Sequence, residues 1–302
     1  MRRSIRKLAA GSALSRWILG FLIVTTILIL TAPTRTIQLQ ARTLSAEVEL
    51  VGEPLAWDLT AATVCLPTLD FDADPAPPCG FGEAFETELD GPVTWQRGQK
   101  ISVNWRPDHL LLSLMTDGNG WPAGTVLRID PEDAVRNGAL AFSGYLSLGQ
   151  EMSAGATGYV LEGSYAIYEQ GLLSGWLGWS PEITRQGAIR RGDQVRIVCA
   201  RSLLGTCDGA LIEEREGQFL NPVAASLSVD HDGKAGLRVV ATGAESNSLL
   251  EVAYAGRDSI ILVRPSWVQR AAASSSLLAF SLLFSLMAPI LIPMLDRSTK
   301  QS

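Results

Sequence analysis

The chain is poor in the residues from which catalytic sites are usually assembled. It has two histidines in 302 residues, His109 and His231, far apart in sequence. It contains no G-x-S-x-G elbow and no H-E-x-x-H pair, the signatures of an α/β-hydrolase nucleophile and of a zinc protease. Between its two apolar runs the only lysines are Lys100 and Lys234, without a serine in a recognisable Ser/Lys protease signature. A Ser–His–Asp triad is recognised by geometry rather than spacing, so no catalytic residue is named and no enzyme is expected; an enzyme of unrecognised type is the lowest-ranked reading. Cysteine is scarce too: Cys65, Cys79, Cys199 and Cys207, with no C-x-x-C among them, which removes a zinc ribbon and a thioredoxin-type redox site. No long amphipathic helix is evident, and no cofactor motif is found.

The charge that is present is unevenly placed. The chain carries −6 overall, yet Arg2, Arg3, Arg6, Lys7 and Arg16 put +5 into residues 1–16, and Asp296, Arg297 and Lys300 put +1 into the last seven. The part between therefore carries −12. An acidic segment of that size repels phosphate backbones, so nucleic acid is excluded as a partner.

Two apolar runs flank this acidic part. Ala271–Leu295 has no charge in twenty-five residues, enough to cross a bilayer as a helix. Trp17–Ala32 is sixteen residues long and spans if it extends back towards Ala13 and Leu14 with Arg16 snorkelling. It could instead be a signal peptide, but no A-x-A site follows it and Pro33 comes at once. The basic tail should stay cytoplasmic. The expected organisation is a basic cytoplasmic tail (1–16), a first transmembrane helix (17–33), an extracytoplasmic β-rich domain (34–268), a second transmembrane helix (271–295) and a cytoplasmic tail (296–302). That suits a two-pass protein of a bacterial inner membrane with a periplasmic main domain, and equally an endomembrane lumen. All four cysteines fall in the outer segment, where disulfides form; Cys65–Cys79 and Cys199–Cys207 is one of three possible connectivities, and buried free thiols are the alternative.

The middle reads as short strands. Thr34–Arg42 is an extended polar connector, Glu47–Val51 a strand and Asp58–Leu66 a weaker one. Pro67–Phe85, rich in proline and glycine, is an irregular loop. Strands follow over Pro92–Gln96, Lys100–Trp105, Leu110–Met115 and Gly124–Ile129, with a turn at Asp117-Gly118-Asn119-Gly120 and a helical turn at Pro131–Val135. Asn137-Gly138 precedes Ala139–Leu148, the next strand of a hairpin. Gly158–Gln170, Gln194–Ala200, Ala224–Val229, Leu237–Ala241, Leu249–Ala255 and Ser259–Val263 complete the set. Such spacing predicts an antiparallel sandwich or barrel, with Gly171–Arg191 as the cut if there are two lobes. Ser143-Gly144-Tyr145, Thr157-Gly158-Tyr159 and Ser174-Gly175-Trp176 echo one another at unequal spacing, as chance recurrence of common β residues would produce.

Four groups carry the candidate sites. Asp70, Asp72 and Asp74 alternate like the start of a calcium loop, but Pro75 takes the place of the required glycine and Phe81 that of the twelfth-position glutamate; an irregular Ca²⁺ site or a solvated acidic loop remains. Asp230-His231-Asp232-Gly233 is a hairpin turn. Trp57, Trp95, Trp105, Trp121, Trp176, Trp179 and Trp267 are mostly core, but Trp176 and Trp179 lie in a loop-like stretch and could present a contact surface. Ser274, Ser281, Ser285 and Ala288 share one face of the second span, where small residues permit close helix packing. The leading expectation is a non-catalytic accessory or assembly subunit of an envelope complex that contacts the bilayer and other membrane or periplasmic proteins, homo-oligomers included. The alternative is an envelope glycan-binding module.

Overall fold

In the strand Thr34–Thr43 (β1), polar and apolar residues alternate from Ile37 to Arg42. Ile37, Leu39 and Ala41 are buried while Gln40 is exposed, the period-two pattern of a half-buried strand. The stretch expected to be a connector is thus structural: counted by polarity it looks like a linker, but its alternation places every second side chain in the core. A computed structural model describes residues 34–68, 79–149, 159–170, 180–200, 218–229, 235–243, 248–254, 260–266, 268, 269, 282 and 285.

The described residues form a mainly β, antiparallel, sandwich-like fold with one short helix of its own, Pro131–Asn137 (α1). The strands are β2 (Ser45–Leu50), β3 (Leu55–Asp58), β4 (Thr63–Pro67), β5 (Glu83–Glu88), β6 (Pro92–Trp95), β7 (Lys100–Trp105), β8 (Leu110–Leu114), β9 (Val126–Ile129), β10 (Leu140–Leu148), β11 (Val160–Gln170), β12 (Glu182–Ile189), β13 (Gln194–Ala200), β14 (Gln218–Leu220), β15 (Val223–Val229), β16 (Leu237–Gly243), β17 (Ser248–Ala253) and β18 (Ile260–Val263). The main path runs β12-β11-β1-β16-β15-β10-β2-β7-β8-β9-β4-β5; β13 branches from β10 and carries β14, β17 and β18, while β3 and β6 pair separately.

Two features let one chain serve more than one part of the sheet. At Leu44 the backbone passes from β1, which pairs β16, to β2, which pairs β10 and β7. The buried Thr43 hydroxyl donates to the Ser45 carbonyl at 2.7 Å and accepts from the Ser45 amide at 3.2 Å. A local side-chain bond of this kind satisfies backbone groups where the ladder breaks. In β10, residues 140–144 pair β15 and residues 144–148 pair β2. Gly144 is common to both, and a Cβ there would run into the Glu49 carbonyl oxygen, so only glycine permits the approach. β10 is therefore not the second strand of a hairpin with β9, as its Asn-Gly start suggests. Gly138 (φ 86°) ends α1 instead.

Asp58–Leu66 also differs from expectation. It is two strands, β3 and β4, separated by a turn in which Ala61 takes φ 66° and the Asp58 carboxylate accepts from the Thr60 hydroxyl at 2.6 Å. Hydrogen bonds from Thr60 hold that carboxyl below the usual range. The core gathers the inward residues of nearly every strand, with Trp95, Leu39, Leu112 and Ile197 among its most enclosed side chains. Trp57 and Trp95 meet at 5.3 Å between ring centroids, and the Trp57 indole N–H donates to the Ala141 carbonyl at 2.7 Å.

By internal contacts the chain divides into two compact units. One comprises Arg35–Ile167 and Arg185–Arg264, the other Met1–Thr34, Tyr168–Thr184 and Pro265–Ser302. In the second unit Val268 and Gln269 are helical. The Ser266 amide donates to the Gln269 Oε1 at 2.9 Å and the Gln269 amide to the Ser266 Oγ at 3.2 Å. This reciprocal capping box starts a helix immediately before the apolar run 271–295. Leu282 and Ser285 are helical and exposed. Among the described residues no helix is long and apolar enough to cross a membrane; both apolar runs fall almost wholly outside those residues.

Candidate interaction edge

The most unusual strand for its surroundings is β5. Its sequence, Glu-Ala-Phe-Glu-Thr-Glu, has no buried residue, and from Ala84 to Glu88 every residue is exposed. Phe85 is 52% exposed and Phe81, in the turn before it, 69%. Among the described residues β5 pairs only β4, and it ends the sheet path. Its outer backbone edge therefore offers N–H and C=O groups to another strand. A register shift opposite Val64 and Cys65 leaves Glu86 as the extra residue of a bulge, a common device for re-aiming side chains at a sheet edge.

The base beneath this edge is built to be rigid. Cys65 in β4, opposite Phe85, forms a disulfide with Cys79, their Cα atoms 5.7 Å apart. Both cysteines are buried with Val126 and Leu111 in a small cluster of their own. The turn from Gly80 to Glu83 is closed by the Glu83 amide donating to the Gly80 carbonyl at 3.2 Å. The Glu83 carboxylate accepts from the Gly80 amide at 2.7 Å and from Arg128 of β9 at 3.0 Å. One carboxylate thus ties the turn to the sheet. Cys65, Cys79 and Glu83 lie close enough to suggest a metal cluster, but sulfurs joined in a disulfide offer no thiolate to a cation.

β5 falls at the end of the stretch expected to be an irregular loop. Phe85 is its one large apolar residue, because neither face enters the core, and period-two hydrophobicity has nothing to report there. The usable signal is Gly80-Phe81-Gly82 followed by Glu-x-x-Glu: a turn opening onto a charged edge. β12 is likewise missed, inside Gly171–Arg191, because its apolar residues are few and Gly187 interrupts them.

The other expected site residues are placed as follows. Cys199, like Cys65 and Cys79, is disulfide-bonded, and Cys207 lies outside the described residues. So do Asp70, Asp72, Asp74, Trp176, Trp179, Trp267, His231, Ser274, Ser281 and Ala288. Ser285 is exposed on helix. His109 sits in the β7–β8 turn, where its Nδ1 lies 3.0 Å from the carboxylate of Asp108, its neighbour in sequence. The Asp108 carboxyl is held below its usual range, first by its own backbone N–H and less by His109 and Arg106. Such a pair is a turn contact, not a positioned base. Trp57 and Trp95 are core, and Trp105 and Trp121 pack against it. A crevice under α1, bounded by Asp58, Leu59, Asn137 and Leu227, holds about 10 Å³, roughly one water. No known family model, curated protein or solved structure matches the chain.

Proposed function

We propose that this chain is a membrane-anchored, non-catalytic subunit of an envelope protein complex, and that its acidic β domain, outside a bacterial inner membrane, docks a partner along β5. The observation that carries this is the exposed, stapled edge strand with Phe85 upon it and Phe81 in the turn before it. Unprotected edges of this kind aggregate unless charge guards them. Glu86, Glu88 and Asp90 are that guard: they are exposed, and a second copy adding antiparallel to β5 would set like charges against each other. The occupant that fits is therefore an extended segment of another protein, with lysine or arginine facing the glutamates and an apolar side chain against Phe85. The −12 charge between the apolar runs favours the same sign of partner. The capping box at Ser266, which starts a helix at Val268 and Gln269 just before the second apolar run, supports anchoring.

The test is site-specific photocrosslinking from position 85 in intact membranes, paired with blue-native electrophoresis. A crosslinked peptide of extended, basic character is expected. With the crosslinker at position 85, Glu86→Arg with Glu88→Arg should remove the adduct, and Phe85→Glu alone should remove any band above the monomer. A native protein that migrates only as a monomer, with no adduct at position 85, sinks the proposal.

A further inference from the structure

The turn that leads into β5 holds two sulfurs and a carboxylate in one small space. Ligand atoms of Cys65, Cys79 and Glu83 all lie within 4.8 Å of one another. In the disulfide the two sulfurs are bonded to each other and take no cation. We propose that, once this disulfide is reduced, Cys65, Cys79 and Glu83 bind one zinc ion. Metal then closes the turn in the dithiol state, as the disulfide does in the oxidised state.

The geometry needs little adjustment. Tetrahedral zinc holds each thiolate at about 2.3 Å, which sets two of them about 3.8 Å apart. The Cα atoms of Cys65 and Cys79 are 5.7 Å apart, and the Cβ atoms of cysteines so placed already stand about 3.8 Å apart. Rotation about the two Cα–Cβ bonds therefore parts the sulfurs by the required amount while β4 and the turn stay in place. Glu83 is held ready beside them. The Gly80 amide at 2.7 Å and the Arg128 Nη2 at 3.0 Å both donate to its Oε2, and among the described residues Oε1 accepts no hydrogen bond. One oxygen is tethered and the other open, as in ligating carboxylates that an outer partner orients. Gly80, next to Cys79, permits this closeness: a Cβ there would lie 2.7 Å from the Arg128 Nη2 and 3.3 Å from the Glu83 Oε2.

Charge and softness select the ion. Two thiolates and a carboxylate carry three negative charges, which a divalent cation and the Arg128 guanidinium, 3.0 Å from Glu83, cancel. The cysteines are buried with Val126 and Leu111, where bare thiolates are costly, so the reduced sulfurs stay protonated until metal arrives. Thiolate ligands favour zinc over calcium or magnesium, which seek oxygen. The Glu83 side chain is 18% exposed, which leaves water a path to the fourth position. The chemistry balances: a dithiol reductant gives two electrons to the Cys65–Cys79 bond and becomes a disulfide itself, and each thiol formed loses one proton as its Zn–S bond forms. A newly made chain reaches the same dithiol state without any reductant, before its first oxidation.

The test uses full-length protein in lipid nanodiscs, reduced with a phosphine in metal-free buffer and titrated with zinc. Zinc should protect Cys65 and Cys79 from alkylation, mapped by mass spectrometry, and raise the Tm of the reduced protein while leaving that of the oxidised protein unchanged. Excess calcium should not compete. Glu83→Gln should weaken zinc binding at least about tenfold, and its ability to form the Cys65–Cys79 bridge on oxidation verifies the fold. Glu86→Gln, on β5, should bind zinc as the parent does, which keeps this outcome separate from the docking proposal. Absence of protection, protection of Cys199 and Cys207 instead, or a Glu83→Gln protein that binds zinc as tightly as the parent overturns the inference.

Discussion

At the scale of single residues, the two buried tryptophans separate packing from hydrogen bonding. Trp57 and Trp95 face each other in the same part of the core and both are almost completely enclosed. Trp57 donates its indole N–H to Ala141, whereas the Trp95 indole N–H is buried without a partner among the described residues. Replacing either with phenylalanine removes similar volume, but only Trp57→Phe deletes a hydrogen bond. Such a bond contributes about 0.5–1.5 kcal/mol, so Trp57→Phe should be the more destabilising change by about that margin, read from chemical or thermal melting in the same detergent. Equal losses would mean that volume alone decides. That both tryptophans belong to the core is legible from the sequence as the ordinary fate of tryptophan in a β domain. Which one finds an acceptor is not, because Ala141 is 84 residues away.

At the scale of elements, β5 depends on what lies beneath it. It makes almost no core contact of its own, so its position is set by pairing with β4, the Glu83 tie to Arg128 and the Cys65–Cys79 bridge. The bridge closes a loop with a sequence separation of 14, for which the chain-entropy model gives about 3 kcal/mol. Cys65→Ser with Cys79→Ser should cost stability of that order. It should also raise amide exchange along Glu83–Glu88 more than along β7, an interior strand of the same sheet. Uniform exchange would show that the bridge acts only on the unfolded chain. Pairing by proximity named this disulfide correctly, because short loops close most easily. The strand it supports was invisible to the same reasoning, since an edge exposed on both faces leaves no hydrophobic period.

At the scale of the whole molecule, the proposed orientation rests on charge asymmetry and two apolar runs. A single-cysteine reporter at Ser12 or Ser302 should react only when the cytosolic side is opened, and one at Gly91 should react with an impermeant thiol reagent in intact spheroplasts. The reverse pattern would invert the topology, Ser12 and Ser302 reacting from opposite sides would remove one of the spans, and reactivity of all three from one side would remove both. The same orientation places the proposed β5 docking edge in the compartment where the disulfides form.

Sequence alone determined the strand-rich character of the middle and the position of β7, and favoured Cys65–Cys79 among the possible pairings, because these depend on residues near one another in the chain. Tertiary structure decided that β1 is a core strand and that β10 pairs β2 and β15 rather than β9. Those facts arise from contacts between residues 79 (Gly144 with Val223) to 206 (Ile37 with Gly243) positions apart, and side-chain periodicity records which residues turn inward but not which strand they will meet.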